Sequence, residues 1–302
     1  IRLTLQDRAG HSTTLVYDYL SVDALNPTAP TVSATAGGVA YLPEENGQEN
    51  WTNKDVQVTV QGSEALSGIQ MYEYTITDGG QPTNQEQWST LQTAEAQQAD
   101  GASPYNALKG QLVVDEDTDK TYWFRAVSNV KTPDGGKVVS DPVSFTIFRQ
   151  TVAPDDVQVR ISPEVTESGW YTAAPTIGFT QQGNDSTHLA PMTIYYKFWN
   201  TLDPNTNTYS NQSGADVQPV AYQGNNPPTI QEDGIYRLIA WVEDAAGNRS
   251  SRDVEMTFQV DSQKPVIEII YDNNESKNDN YYKEERTATI TIKELNFQEE
   301  HV

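Results

Sequence analysis

Short runs of alternating apolar and polar residues recur along the whole chain. Tyr236, Leu238, Ala240 and Val242 fall on one face of such a run, and residues 121–128 alternate in the same way. Successive side chains of a β-strand point to opposite faces, so each run predicts a strand with one face toward a core. Clusters of Gly, Pro, Asn, Asp and Ser separate the runs, as turns do. The pattern predicts an all-β chain.

One stretch departs from this alternation. Residues 85–99 are rich in Gln, Ala and Glu, and the sequence leaves open a short helix or a polar loop there. Long segments with the 3.6-residue period of an amphipathic helix are missing. No apolar run approaches the length that spans a bilayer, so we expect no membrane insertion.

Proline-containing linkers recur at similar distances. They end at Pro30, Pro154 and Pro265. From Pro30 to Pro154 is 124 residues, and from Pro154 to Pro265 is 111. A β-sandwich of about 100 residues fits one such period, so the spacing predicts a tandem repeat.

A second marker precedes two of these linkers. The segment Leu5–His11, near the beginning of the chain, aligns without gaps with Val242–Asn248, shortly before the last linker. Gly247 and Asn248 tolerate positive φ angles, which a tight hairpin turn requires. We therefore assign both residues a structural role in a hairpin that closes each repeat.

A third marker follows each linker. An aromatic residue and a polar turn, at Trp51, Trp170 and Tyr281, come before a strand of period two. The order of the three markers divides the chain into four segments. These are the end of a repeat at 1–29, complete repeats at 30–150 and 151–264, and the beginning of a repeat at 265–302.

The composition excludes several kinds of partner and chemistry. The chain has 302 residues and a formal net charge of -23, from 42 acidic and 19 basic residues. Such a surface repels phosphate groups, so we expect no nucleic-acid partner. Cysteine is absent, which excludes disulfides and thiolate chemistry. Because the sequence begins without a methionine or a leader, we expect a piece of a longer protein.

Several short motifs resemble known repeats. The run Glu232–Leu238 resembles the segment before and into the sixth strand of immunoglobulin domains, with Leu238 where Cys would stand, and Tyr236 is then a tyrosine-corner candidate. A likeness to a fibronectin type III ending is found in Thr121–Val127 with Ser140–Val143. The segment Asp244–Asn248 resembles the hairpin of bacterial immunoglobulin-like repeats. The segment Arg286–Phe297 resembles an early strand of such repeats in large Gram-positive surface proteins.

This resemblance implies tandem immunoglobulin-like or fibronectin III-like β-sandwiches at a bacterial cell surface or in the extracellular space. The leading hypothesis is a non-catalytic stalk, spacer or adhesin whose repeats contact adjacent repeats. One alternative is a module that binds a host glycoprotein, glycan or immunoglobulin through loops 78–106 or 200–226. Another alternative is a set of accessory domains of a large secreted carbohydrate-active enzyme.

No candidate catalytic centre emerges from the residues. The three histidines, His11, His188 and His301, lie in different predicted repeats, whereas a catalytic triad needs a base within hydrogen-bond reach of its nucleophile. We therefore expect solvent-exposed loop histidines, no enzyme activity and no organic cofactor.

Calcium is the one metal that the acidic loops favour. Asp115, Asp117 and Asp119 alternate and can supply oxygen ligands, although Lys120 stands where an EF-hand loop needs glycine. A second set of acids lies at the junctions and nearby turns. It comprises Asp155, Asp156, Asp233, Asp244 and Asp261. The alternative, which we favour, is that these carboxylates cap their own turns.

Two further kinds of site are suggested by single residues. Exposed aromatic rings bind sugars by stacking, and Tyr195, Trp199, Tyr209 and Tyr222 lie in or near the polar insertion 200–226. Core packing explains most of them, since half of each strand faces inward. Lys197 is a candidate for a Lys–Asn isopeptide cross-link, but it lies in an aromatic strand away from the first and last strands, where such lysines usually stand.

Overall fold

A computed structural model shows the fold of the chain. It describes residues 2–16, 22–64, 66–83, 87–95, 108–165, 167–181, 187–203, 208–209, 214–272 and 285–294. These residues form strands and turns without a helix, and accordingly none of them forms a helical segment suited to crossing a membrane. The prediction of an all-β chain is confirmed.

The chain divides into two compact units, Ile1–Thr151 and Val152–Val302. The strands of the first unit are β1 (Arg2–Gln6), β2 (Ser12–Val16), β3 (Thr31–Ala36), β4 (Val39–Tyr41), β5 (Glu44–Glu45), β6 (Gln48–Glu49), β7 (Val56–Gln61), β8 (Ile69–Thr77), β9 (Ser89–Thr90), β10 (Gln92–Glu95), β11 (Leu108–Val114), β12 (Thr121–Lys131), β13 (Lys137–Val139) and β14 (Val143–Thr146).

The strands of the second unit are β15 (Val157–Ser162), β16 (Trp170–Tyr171), β17 (Thr176–Gln181), β18 (Met192–Asn200), β19 (Leu202–Asp203), β20 (Thr208–Tyr209), β21 (Val220–Ala221), β22 (Gly234–Asp244), β23 (Val254–Val260), β24 (Val266–Tyr271) and β25 (Ala288–Lys293).

Below, the first unit means the body formed by β3 to β14 and the second unit the body formed by β15 to β23, without the separately paired hairpins β1–β2 and β24–β25. Two sheets enclose the core of the first unit. One has the order β10–β11–β7–β3–β4, and the other has the order β13–β12–β8–β9 with β14 also paired to β12. The alternating valines Val56, Val58 and Val60 of β7 are almost fully buried, and they share one apolar cluster with Tyr72 and Phe124 of the second sheet. The arrangement is compatible with a β-sandwich.

The second unit has a core of its own. The strands β15 and β17 form a two-stranded sheet, and a larger sheet has the order β16–β23–β22–β18–β21. Val157, Ile177 and Phe179 from the small sheet are buried in one cluster with Leu238 and Val242 from the large one. The predicted alternation of β22 is observed, because the even-numbered residues Tyr236 to Val242 all face this core.

The aromatic marker after each linker has a structural explanation. Trp170 and Tyr171 form β16, which pairs in parallel with the end of β23. In the first unit, Thr52 forms a parallel bridge with Arg149 at the equivalent place. The short segment therefore pairs with the last strand in the second unit and with a residue just beyond the last strand in the first unit. The third copy of the marker, residues 280–283, lies outside the described residues.

In the described part of residues 85–99, the structure shows strands where the sequence left open a short helix or a polar loop. This part forms β9 and β10 rather than a helix, because β9 pairs with β8 and β10 pairs with β11. Free sheet edges offer backbone donors and acceptors to a polar segment, and they outweigh the helix preference of Ala, Gln and Glu.

Candidate functional site

The residues that leave the first unit are held by one carboxylate. Asp117 Oδ1 accepts hydrogen bonds from the Thr151 backbone N–H and from Thr151 Oγ1, both at 2.9 Å. The Gln150 side-chain amide donates to Asp117 Oδ2 at 3.1 Å, and Arg149 Nη1 lies 3.1 Å from Asp117 Oδ1. Arg149 is itself buried and pairs with Asp55 at 2.6 Å. We call the contact of Asp117 with Thr151 the first exit clasp.

The second unit repeats this arrangement. Asp233 Oδ1 accepts from the Ser262 backbone N–H at 2.9 Å, and Asp233 Oδ2 accepts from Ser262 Oγ at 3.2 Å. In both units the acid lies in the turn before a long central strand, β12 or β22. The hydroxyl residue comes shortly after the end of the last strand. We call this contact the second exit clasp.

The residues that enter the first unit are held by a backbone carbonyl and by carboxylates. Thr28 donates to the Ser63 carbonyl through its backbone N–H and its hydroxyl. Asp23 Oδ2 and Glu64 Oε2 share the backbone N–H of Ser67, at 3.2 and 2.6 Å. Burial alone would raise the pKa of Glu64, but hydrogen bonds from Ser67 Oγ and the amides of residues 66–68 hold it below its usual value.

The entry into the second unit has a simpler contact. Asp156 Oδ1 accepts from the Arg252 backbone N–H at 3.0 Å and from Ser251 Oγ at 3.2 Å. This side chain joins the residues after Pro154 to the turn before β23. Asp155 is exposed.

The calcium candidates are thus spread over separate contacts. Asp119 lies 3.4 Å from Lys120 Nζ, which also pairs with Asp78, whereas Asp115 is exposed. Asp261 Oδ1 accepts from the Gln263 backbone N–H, as an acid that caps its own turn does. No three His, Asp or Glu side chains among the described residues come together in a group that would hold a metal ion. Calcium binding stays a prediction.

Asp244, Gly247 and Asn248 form one tight turn. The backbone N–H of Asn248 donates to Asp244 Oδ1, and its side-chain amide donates to Asp244 Oδ2, both at 2.8 Å. Gly247 has a φ of 82°, which a residue with a Cβ rarely adopts. Both oxygens of Asp244 therefore act inside the hairpin.

Tyr236 joins the turn before β22 to the core. Its hydroxyl donates to the Glu232 carbonyl at 2.7 Å, four residues upstream, which is the geometry of a tyrosine corner. Its ring stacks between Phe198 and Phe258, with centroid distances of 5.1 and 5.7 Å. Burial raises the pKa of Tyr236, so the hydroxyl stays protonated as a donor.

Two of the histidines contact aspartates in two different hairpin turns. His11 is exposed and its Nδ1 lies 2.9 Å from Asp7 Oδ2, and this hydrogen bond is the main reason that the pKa of Asp7 is lowered. His188 was expected in solvent, and that expectation is wrong. Its side chain is buried with Nε2 3.2 Å from Asp244 Oδ2, because the chain before β18 folds over the closing hairpin. His301 lies outside the described residues.

The aromatic candidates do not share one exposed surface. Tyr222 packs edge-on against the core residue Phe179, with centroids 5.0 Å apart. Trp199 is buried and contacts Gly214, whereas Tyr195 stacks on Trp241 across the strands. The side chain of Tyr209 lies outside the described residues.

Lys197, the isopeptide candidate, has a different contact. Its Nζ donates to the Gly214 carbonyl at 3.3 Å.

One buried ionic cluster was missed by the sequence analysis. Glu73 on β8 is almost fully buried, and its carboxylate binds Arg125 through two donors and Lys137 through one. The Arg125 guanidinium also lies 3.9 Å from the ring centroid of Trp88. The signal was an acid within an alternating strand, but its cationic partners come from the strands β12 and β13, far along the sequence.

In comparisons with known proteins, no family model matches the chain and no curated protein matches its sequence.

Proposed function

We propose that the chain is a non-catalytic spacer or adhesin region made of tandem immunoglobulin-like sandwich units, exposed outside a bacterial cell. The observation that carries the proposal is the pair of exit clasps, Asp117 with Thr151 and Asp233 with Ser262. A spacer must pass the chain from one unit to the next without fraying its last strand. The clasps hold a residue shortly after that strand in both units.

The unit architecture supports this proposal. Each unit has two sheets around one apolar cluster, and in each a short early segment pairs in parallel with the chain at or just beyond the last strand. Two matching contacts add to the likeness of the units. Ser140 Oγ accepts from the Ala126 amide, and Ser250 Oγ accepts from the Val242 amide, in the same place between the last strands.

The surface chemistry supports an extracellular location. A net charge of -23 suits a chain that stays soluble outside a cell. His11 and His188 each lie against an aspartate that shapes a hairpin turn, so both have a structural role. A spacer with such turns needs no reactive group.

Mechanical unfolding of single molecules tests the proposal. When the chain is pulled by its ends, force reaches the first unit through the residues next to β14, where the clasp supplies a second attachment. We expect Asp117→Ala to lower the unfolding force of the first unit and to leave that of the second unit unchanged.

Asp115→Ala is the matched control, because it removes an exposed acid from the same turn. We expect this variant to unfold at the force of the unaltered chain. Equal unfolding forces for Asp117→Ala and Asp115→Ala would refute a mechanical role for the clasp.

A further inference from the structure

The hairpin β1–β2 presents an apolar face to solvent. Leu3 lies opposite Leu15, and Leu5 lies on the same face, with 54%, 52% and 69% of these residues exposed. A two-stranded hairpin with one apolar face is at best marginally stable alone in water. Its face therefore gains stability when another apolar surface covers it.

The hairpin β24–β25 presents a second apolar face. Ile267 lies opposite Ile292, and Ile269 lies opposite Ile290. Ile267, Ile269 and Ile290 are 63%, 54% and 61% exposed. Neither this face nor that of β1–β2 carries a charged side chain at these positions.

The second unit contains buried counterparts of both hairpins. The sheet β15–β17 has the same antiparallel six-residue pairing as β24–β25, with Val159 opposite Phe179. It packs against β22 and β23, which close the other side of the core.

The hairpin β1–β2 repeats the end of β22 in detail. The amide of His11 donates to Asp7 Oδ1 as that of Asn248 donates to Asp244 Oδ1, at 2.9 and 2.8 Å. The pairing of Gln6 with Ser12 repeats the bridge of Glu243 with Arg249. In this register Leu5 takes the place of Val242, which is fully buried against the small sheet of the second unit.

We propose that the apolar face of β24–β25 in one copy of the chain binds the apolar face of β1–β2 in a second copy. In the second unit, the sheet β15–β17, which is the counterpart of β24–β25, packs against β22, whose end is the counterpart of β1–β2. Because the two faces differ, the contact is heterologous, and further copies add head to tail. The proposal goes beyond the spacer role, which stands even if the copies stay apart.

The contact is expected to be weak. The strands β1 and β2 have 5 residues each, and β24 and β25 have 6 each. A standard interface uses about 20–30 residues a side, so we expect a dissociation constant on the order of 0.1 mM. The net charge of -23 opposes association, and salt screens this repulsion.

Sedimentation velocity of the whole chain between about 5 and 500 μM, in roughly 0.3 M salt, tests the proposal. We expect the average mass to rise with concentration and to pass that of a dimer. Leu5→Lys and Ile269→Lys should each stay monomeric. An equimolar mixture of the two variants should stop at a dimer, because each variant retains only one of the two complementary faces.

Ile270→Lys is the matched control. It places the same charge on the same strand but on the opposite face, at a residue that is 44% exposed. It should associate like the unaltered chain. A monomer at every concentration, growth that either face variant leaves intact, loss of growth in the control, or a mixture without a dimer would each overturn the proposal.

Discussion

The two units solve the same packing problem with different first sheets. In the first unit, β11 pairs with β7 and β10 pairs with β11, so that the sheet has five strands. In the second unit, residues 226–230 occupy the corresponding stretch before the long central strand, but they do not form a strand. Val114 precedes Ala126 by the same sequence spacing as Ile230 precedes Val242, and both Val114 and Ile230 contact the core of their unit.

Two prolines explain why the second unit lacks a counterpart of β11. Pro227 and Pro228 lack the N–H that a sheet ladder requires, and proline rings fix φ. Pro228 is nevertheless buried, as a residue of the missing strand would be. The comparison teaches that an apolar segment can fill its place over a core without joining the sheet. Side-chain packing and backbone pairing are therefore separable in this fold.

The largest expected effect comes from making the first unit resemble the second. Leu112 on β11 lies opposite Val58 on β7. Leu112→Pro should destabilise the first unit by about 1–3 kcal/mol, because proline offers no N–H to the neighbouring strands and a backbone acceptor left unpaired in the interior costs about that much. Amide hydrogen exchange measured by NMR should show faster exchange along β7.

Leu112→Ala is the control for that change. It removes part of the side chain and keeps the backbone donor, so the unit should lose packing energy while the β7 amides facing β11 remain protected. If the proline variant leaves β7 as protected as the alanine variant does, pairing with β11 contributes little, and our account of the difference between the units is wrong.

A smaller effect is expected at a feature of the second unit. Tyr236→Phe keeps the stacked ring and removes the hydroxyl that donates to the Glu232 carbonyl. We expect a loss of about 1 kcal/mol in the free energy of unfolding of the second unit alone. Thermal unfolding followed by NMR reports on each unit separately. An unchanged midpoint temperature for the second unit would argue against the tyrosine corner.

An effect of similar size concerns the entry of the first unit and depends on pH. The folded-state pKa of Glu64 is lowered, so its stabilisation is present above the unfolded pKa of about 4.3 and is lost as the pH falls through the folded value. Glu64→Gln should cost about 1 kcal/mol or more at pH 7, because the amide keeps one acceptor oxygen and places an NH2 group against a backbone N–H that the second carboxylate oxygen binds.

The same variant should flatten the acid dependence of the first unit. Urea unfolding of both proteins between pH 7 and pH 3 measures this. Parallel stability curves for Glu64→Gln and the unaltered chain would show that the carboxylate has the same pKa in the folded and unfolded states.

Local patterns predicted the strands and the turns. The alternation from Tyr236 to Val242 is visible without any partner strand, and the match of Leu5–His11 with Val242–Asn248 is reproduced in the hydrogen bonds of the two turns. These features depend on residues that are neighbours in the sequence.

Contacts between distant strands could not be predicted. Glu73 meets Arg125 only because β8 pairs with β12 in one particular register, and alternation does not specify which strands pair. His188 is buried by the path of the chain before β18. Each exit clasp was predictable only in part. Asp117 and Asp233 were recognisable in the sequence as turn acids, whereas their partners lie beyond the last strand of each unit.

The central claim is that each unit folds around its own core. Producing residues 30–150 and 151–264 as separate proteins tests it most directly. We predict that each gives a dispersed amide NMR spectrum whose core resonances overlay those of the whole chain. A spectrum typical of an unfolded chain from either fragment would contradict the claim.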